Sequence, residues 1–179
     1  YASKQTALVI GQRGMMVDDP DRFALTLANY ILGGMPLSSV LFDHVREKRG
    51  LAYGVSSRFI SLKSRGPFLI QLKTRASEAK KAQLLVHRVL QRYIKEGPSA
   101  KQLLAAKKNL VGQFFLGLSS NANILGVVSN MVFQHRPLDY LDHYRTRIEA
   151  VTMKVLRRAL RRVLRPEHMI TVSVGPHKH

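Results

Sequence analysis

Seven histidines and no cysteine decide which metal and nucleophile chemistry this sequence can hold. His44, His87, His135, His143, His168, His177 and His179 form no His-x-x-Glu-His. No two of them stand four residues apart, the spacing that sets two imidazoles on one helix face. With no thiolate to complete a ligand set, neither a structural nor a catalytic zinc site is expected in the chain. The absence of cysteine also excludes disulfide frameworks and thiol catalysis. Ser119, Ser120 and Asn121 read as a helix cap, because no His or acid beside them would make a nucleophile. Met15, Met16 and Met131 read as packing residues.

Positive charge is the next chemical resource. Lys plus Arg number 29 against 11 for Asp plus Glu, a formal +18 that admits nucleic acid, anionic lipid or an acidic partner. It is densest over residues 145–165, which hold eight basic residues and one acid, Glu149. There Val155, Leu156, Ala159, Leu160, Val163 and Leu164 form one stripe, and Arg157, Arg158, Arg161, Arg162 and Arg165 the opposite one. No interleaved aromatics, Gly-rich loop or nucleic-acid motif accompanies it. We read it as a helix with a solvated cationic face whose charge suits the C-terminal end of the dipole. Nucleic acid is not the expected partner.

The elements that position these residues follow from periodicity. Residues 6–10 (TALVI) read as a strand. Asp18, Asp19, Pro20 and Asp21 give a helix start with acidic cap candidates, and Phe23, Leu27, Tyr30 and Ile31 line its face up to Gly33-Gly34. Ser38 or Ser39 caps a shorter helix through Leu41 and Val45, closed by Gly50. Alternation through Tyr53, Val55, Ser57 and Phe59, a turn over residues 63–66 and a second run over 67–73 predict a hairpin. Five helices come next. The first carries Leu84, Leu85, Val89 and Tyr93, and the second is capped by Ser99 and carries Leu103, Leu104, Leu110, Phe114 and Phe115. The others span about 121–135, 139–150 and 152–164, before a last strand over 169–174. Helices in blocks favour an α+β fold with an antiparallel or mixed sheet and helices packed on one side. The 179 residues, 45 % of them apolar, suit one domain and exclude disorder, collagen and coiled coil. No apolar run approaches the roughly 20 residues of a transmembrane helix.

Residues 36–53 read PLSSVLFDHVREKRGLAY. With the preceding Gly33-Gly34, this stretch resembles the signature of the C-terminal, non-zinc half of the pitrilysin/insulinase/mitochondrial-processing-peptidase family of zinc metallopeptidases. In that family a Gly-Gly break precedes "P-x-S-x-L-F", and "V-R-E-K-x-G-L-A-Y" leads into a strand. Leu41-Phe42, Val45-Arg46-Glu47-Lys48 and Gly50-Leu51-Ala52-Tyr53 match as they stand. Val40 departs where the family often has Arg, and His44 where an acid or amide is common. The element order agrees over the whole chain.

The resemblance implies a metallopeptidase-like domain of the kind shared by LuxS and the processing peptidases, with residues 1–179 as one domain equivalent to the C-terminal half of a longer peptidase. It implies a partner half, a domain or a separate subunit, that carries zinc on an inverzincin His-x-x-Glu-His with a distant Glu, and a peptide substrate held between the halves. Arg46 and Tyr53 match the Arg/Tyr pair that the family's second half presents to the zinc site. A tyrosine hydroxyl, with an ordinary pKa of about 10, is a neutral donor suited to charge developing on a scissile carbonyl oxygen. An arginine holds a substrate carbonyl or keeps the tyrosine oriented. The expected function is the non-zinc half of a metalloendopeptidase, inactive by itself. The alternatives are a catalytically inactive scaffold or binding subunit of the same fold, and a basic binder of nucleic acid or anionic surfaces. By the same resemblance, a bacterial chain is expected in the periplasm and a eukaryotic one in the mitochondrion.

Overall fold

The computed structural model describes residues 4–134, 136–137 and 139–176. Four strands, β1 (Gln5–Arg13), β2 (Gly54–Phe59), β3 (Pro67–Arg75) and β4 (Ile170–Val174), form one sheet in the order β2-β3-β1-β4. Every strand pair is antiparallel. The long β1–β3 ladder, from Gln5 opposite Arg75 to Arg13 opposite Pro67, is its spine. Alternation then divides the faces. Leu8 and Ile10 of β1, Val55 and Ser57 of β2, and Phe68, Ile70 and Leu72 of β3 all point to one side and are buried.

Helices cover that side alone. They are α1 (Arg22–Asn29), α2 (Val40–Phe42), α3 (Ala79–Glu96), α4 (Ala100–Leu116), α5 (Asn121–Phe133), α6 (Tyr140–Glu149) and α7 (Met153–Val163). Leu25 and Leu27 of α1, Val86 and Leu90 of α3, and Leu156 and Leu160 of α7 join the sheet residues in one apolar core. The buried Tyr93 hydroxyl donates to the Ala28 carbonyl at 3.0 Å, pinning α3 to α1. Ser99 and Gln102 form a reciprocal capping box on α4, and Ser120 caps α5 by accepting from the Asn123 N–H. Met15 and Met131 are buried, in line with their reading as packing residues. The architecture is the expected α+β one, with a sheet that is antiparallel throughout.

Two expectations are corrected. The acids before α1 do not cap it by their side chains: Asp21 stands at the N-cap position without a side-chain cap bond. The Asp19 carboxylate accepts from the Asp21 N–H, and both carboxylates receive arginines from α7. Arg162 donates Nε to Asp21 at 2.8 Å and Nη2 to Asp19, while Arg158 donates to Asp21 at 3.1 Å. The cationic face of α7 is therefore partly internal. Second, Leu84 and Leu104 are exposed, because the buried stripes run through Ala82, Leu85, Val86 and Val89 on α3 and through Leu103 and Ala106 on α4. The Gly33-Gly34 stop falls where expected, at the end of the π-helical turn Tyr30–Gly34, and packing requires the glycine there. A Cβ on Gly33 would lie 2.6 Å from the Ser57 backbone nitrogen, so only glycine lets this turn, which continues α1, run against β2. The α5 helix ends at Phe133; His135, given as its limit, lies outside the described residues.

The α4–α5 elbow carries the largest exposed apolar side chains of the helical layer, including Leu116, Leu125 and Phe133. No single helix among the described residues is long and apolar enough to cross a membrane.

Arg162 shields two carboxylates that are each more than nine-tenths buried. Replacing it with Gln leaves the Asp19 carboxylate without a cation and Asp21 with Arg158 alone, and should lower unfolding stability by about 3 kcal/mol in urea titrations. Arg158→Gln, at a guanidinium 68 % exposed, should cost under about 1 kcal/mol. Burial, reinforced by Tyr140, pushes the Tyr144 hydroxyl up to about 12. The folded state therefore holds that proton more tightly than the unfolded chain does. Stability from this group is complete below about pH 10 and is lost as pH rises through about 12. Tyr144→Phe should flatten the alkaline fall of the melting temperature.

Candidate functional site

Arg46 and Tyr53 are brought together by a short helix and a tight turn. Ser39, almost fully buried, accepts from the Phe42 N–H at 3.3 Å and starts α2. The helix continues as a π-helical turn, Asp43–Glu47, which carries Arg46. Its end is closed by Gly50, whose N–H donates to the Arg46 carbonyl at 2.8 Å with φ at +59°. That left-handed conformation favours glycine, although the space around it is open. Leu51 and Ala52 then turn inward to the core. The Leu51 carbonyl accepts from Thr74 Oγ1 at 2.5 Å, and the Tyr53 N–H donates to the Lys73 carbonyl at 3.2 Å. The chain is thus fixed on both sides of Tyr53.

The side chains meet by stacking. The Arg46 guanidinium lies 4.8 Å from the centroid of the Phe42 ring and 5.7 Å from that of Tyr53. Tyr53 is 83 % exposed, and its hydroxyl has no protein partner among the described residues. Both residues line a cavity of about 620 Å³ whose floor includes Val9, Gln71 and Lys73 of the open sheet face. Leu37, on its wall, is 70 % exposed at φ +61°, a backbone state that costs a branched apolar residue about 1–3 kcal/mol. Its side chain is held out beside Arg46 at that cost.

The structure brings the two sequence-predicted residues onto one cavity and adds Phe42, Leu37 and Lys73, which periodicity alone did not single out. Phe42 was visible only as part of the 36–53 stretch, and Leu37 carries no local signal for a left-handed backbone. His44 turns inward on its own helix, with Nδ1 2.9 Å from the Val40 carbonyl oxygen and 3.3 Å from the Asp43 carboxylate. Among the described residues, no group of three His, Asp or Glu side chains could hold a metal. His135, His177 and His179 lie outside those residues. The donor set of the described residues does not fit zinc.

A family model described as the peptidase M16 inactive domain matches residues 2–110, and the chain belongs to that family. It is 29 % identical over 140 residues to an uncharacterized zinc protease, YmxG, of Bacillus subtilis, which covers 76 % of this chain and 34 % of that protein. It is 28 % identical to an uncharacterized zinc protease of Streptomyces coelicolor, over 98 % of this chain and 38 % of that one. The crystal structure of a peptidase M16 inactive domain from Pseudomonas fluorescens superposes with a TM-score of 0.92 at 40 % identity, covering 99 % of this chain and 42 % of that one. The inactive peptidase domain of a putative zinc protease from Bordetella parapertussis has the same fold, with a TM-score of 0.85 at 16 % identity. The chain spans well under half the length of the two zinc proteases from Bacillus subtilis and Streptomyces coelicolor.

Because the space around Gly50 is open, Gly50→Ala tests backbone conformation alone. It should cost about 1–2 kcal/mol and loosen the Arg46–Tyr53 turn, read as raised amide exchange at Leu51. Gly112→Ala in the α4 interior, where space is also open, should instead add about 0.4–1 kcal/mol.

Proposed function

We propose that this chain is the non-zinc half of a metalloendopeptidase, closing the substrate chamber and presenting Arg46 and Tyr53 to the scissile peptide. The observation that carries the reading is the Tyr53 hydroxyl, without a protein partner and held at the mouth of a cavity beside a stacked arginine. A donor kept free of internal partners is available to an acceptor from outside. Charge gathers on the carbonyl oxygen as a peptide bond is attacked, and a neutral hydroxyl stabilises that oxygen. Arg46 keeps the Tyr53 ring in place through its face and has guanidinium donors left for a neighbouring substrate carbonyl.

The attacking chemistry belongs to a partner half carrying His-x-x-Glu-His, whether a domain of the same polypeptide or another subunit. The relatives named as zinc proteases are more than twice as long as the stretch they share with this chain, which leaves room for such a half. Peptide is the substrate class because the cavity opens on a sheet face of moderate polarity. There Gln71 and Lys73 offer hydrogen bonds, and Val9 and Leu37 offer apolar contact.

The test is Tyr53→Phe in the complete protein, assayed on a mixture of internally quenched fluorogenic peptides. The expected loss in kcat is about 10²–10³, with an unchanged far-ultraviolet circular dichroism spectrum. Cleavage at the unaltered rate removes Tyr53 from the mechanism. Absence of any cleavage suppressed by a chelator, with partner association intact, replaces the enzymatic reading with the scaffold one.

A further inference from the structure

A second cavity lies in the helical layer and shares no lining residue with the Arg46–Tyr53 site. It has a volume of about 570 Å³ and is walled by the start of α1, by Gln134, Arg136 and Pro137 after α5, by α6 and by the start of α7. Three arginines line it: Arg22, Arg136 and Arg147. Their guanidiniums are gathered on two aromatic rings. Arg22 lies 4.5 Å from the centroid of Phe23 and 4.7 Å from that of Tyr140. Arg136 lies 4.5 Å from Tyr140, and Arg147 lies 5.8 Å from Phe23.

None of the three forms an ion pair among the described residues. The cavity does hold carboxylates, but Asp19 and Asp21 are already engaged by Arg162 and Arg158 of α7, which leaves only the exposed Asp18 at the rim. Arg22 donates to the Val17 carbonyl at 3.4 Å, and Arg136 Nε is buried with no acceptor among the described residues. An orphaned donor on a cation is expensive unless a ligand completes it. Burial lowers the Arg22 pKa; Tyr140 acts the other way, and Arg136 and Arg147 push it down further. Three clustered cations, with the buried carboxylates of the cavity already taken by α7 and only Asp18 left at its rim, are a cost that the fold does not need.

We propose that this cavity binds a compact multivalent oxyanion of the phosphate class, carried by a small molecule. A carboxylate presents two oxygens in one plane, whereas a phosphate presents oxygens in several directions and suits three guanidinium forks approaching from different elements. The volume falls in the range of small-molecule sites, and Phe23, Tyr140 and Pro137 leave apolar surface for an organic body beside the anion. The site does not depend on Arg46 or Tyr53, so its test is independent of the proteolytic reading.

The probe is inorganic pyrophosphate, titrated calorimetrically into the full chain in low-salt, phosphate-free buffer. One-to-one saturable binding is expected. Arg136→Gln and Arg147→Gln should each weaken it about tenfold or more, the loss of one charge-assisted contact. Arg88→Gln, on α3 and outside the cavity, should change it less than about twofold, since removing one distant charge costs only a few tenths of a kcal/mol. Circular dichroism checks that each variant folds, and Arg147 is exposed enough to serve if Arg136→Gln does not. Equal weakening by Arg88→Gln shows diffuse attraction to a basic protein and overturns the proposal, as does the absence of saturable binding. Binding to phosphatidylglycerol vesicles in a protein that ignores pyrophosphate also overturns it, assigning the arginines to a membrane surface.

Discussion

The fold rests on the unequal treatment of the two faces of a four-stranded sheet. Leu8, Ile10, Phe68, Ile70 and Leu72 require cover, and α1, α3 and α7 supply it. At about 25 cal/mol per Å² of apolar surface removed from water, that one-sided burial is the main favourable term. The opposite face receives no helix, and its β4 residues Ile170, Val172 and Val174 stay exposed. A sheet covered on one side only has a working surface ready-made. The cavity with Arg46 and Tyr53 lies where that surface meets the α2 turn.

The positioning of the pair depends on contacts far from it in sequence. Gly33 lets the π-helical turn that continues α1 approach β2, and the Ser57 hydroxyl donates to Asn29 Oδ1 at 2.8 Å across that junction. The α2 segment follows directly from this packing, so the orientation of Arg46 inherits the angle at which α1 meets the sheet. At the other end of α1, Asp19 and Asp21 hold α7 through Arg158 and Arg162. The first and last thirds of the chain are thereby tied before the sheet is complete at β4.

Most elements were legible because their periodicity and punctuation agree: the β1 and β3 runs, the Ser99 and Ser120 caps, and the Gly97-Pro98 break all fall where expected. The antiparallel hairpin followed from alternation across a turn. What stayed hidden was tertiary pairing. Asp19 and Asp21 have the composition of a helix cap, and only the arrival of α7 reveals them as ion-pair partners. Leu84 and Leu104 look like core residues by type, yet the helix phase rotates them outward and buries their neighbours Leu85 and Leu103 instead. In the candidate site, Arg46 and Tyr53 were legible from the 36–53 stretch alone, because spacing gives neither residue a chemical role. The stacking on Phe42 and the left-handed Leu37 needed coordinates.

The exposed elbow of α4 and α5 has a colloidal consequence. Leu116, Leu125, Val132 and Phe133 expose apolar side chains to solvent on a molecule that carries a formal charge of +18. Between two copies, apolar attraction at the elbow is opposed by long-range repulsion of like net charge. That repulsion reaches about 30 Å at 0.01 M salt and only about 3 Å at 1 M. Salt, which protects many basic proteins from unwanted polyanions, therefore weakens the barrier that keeps the elbows of two copies apart.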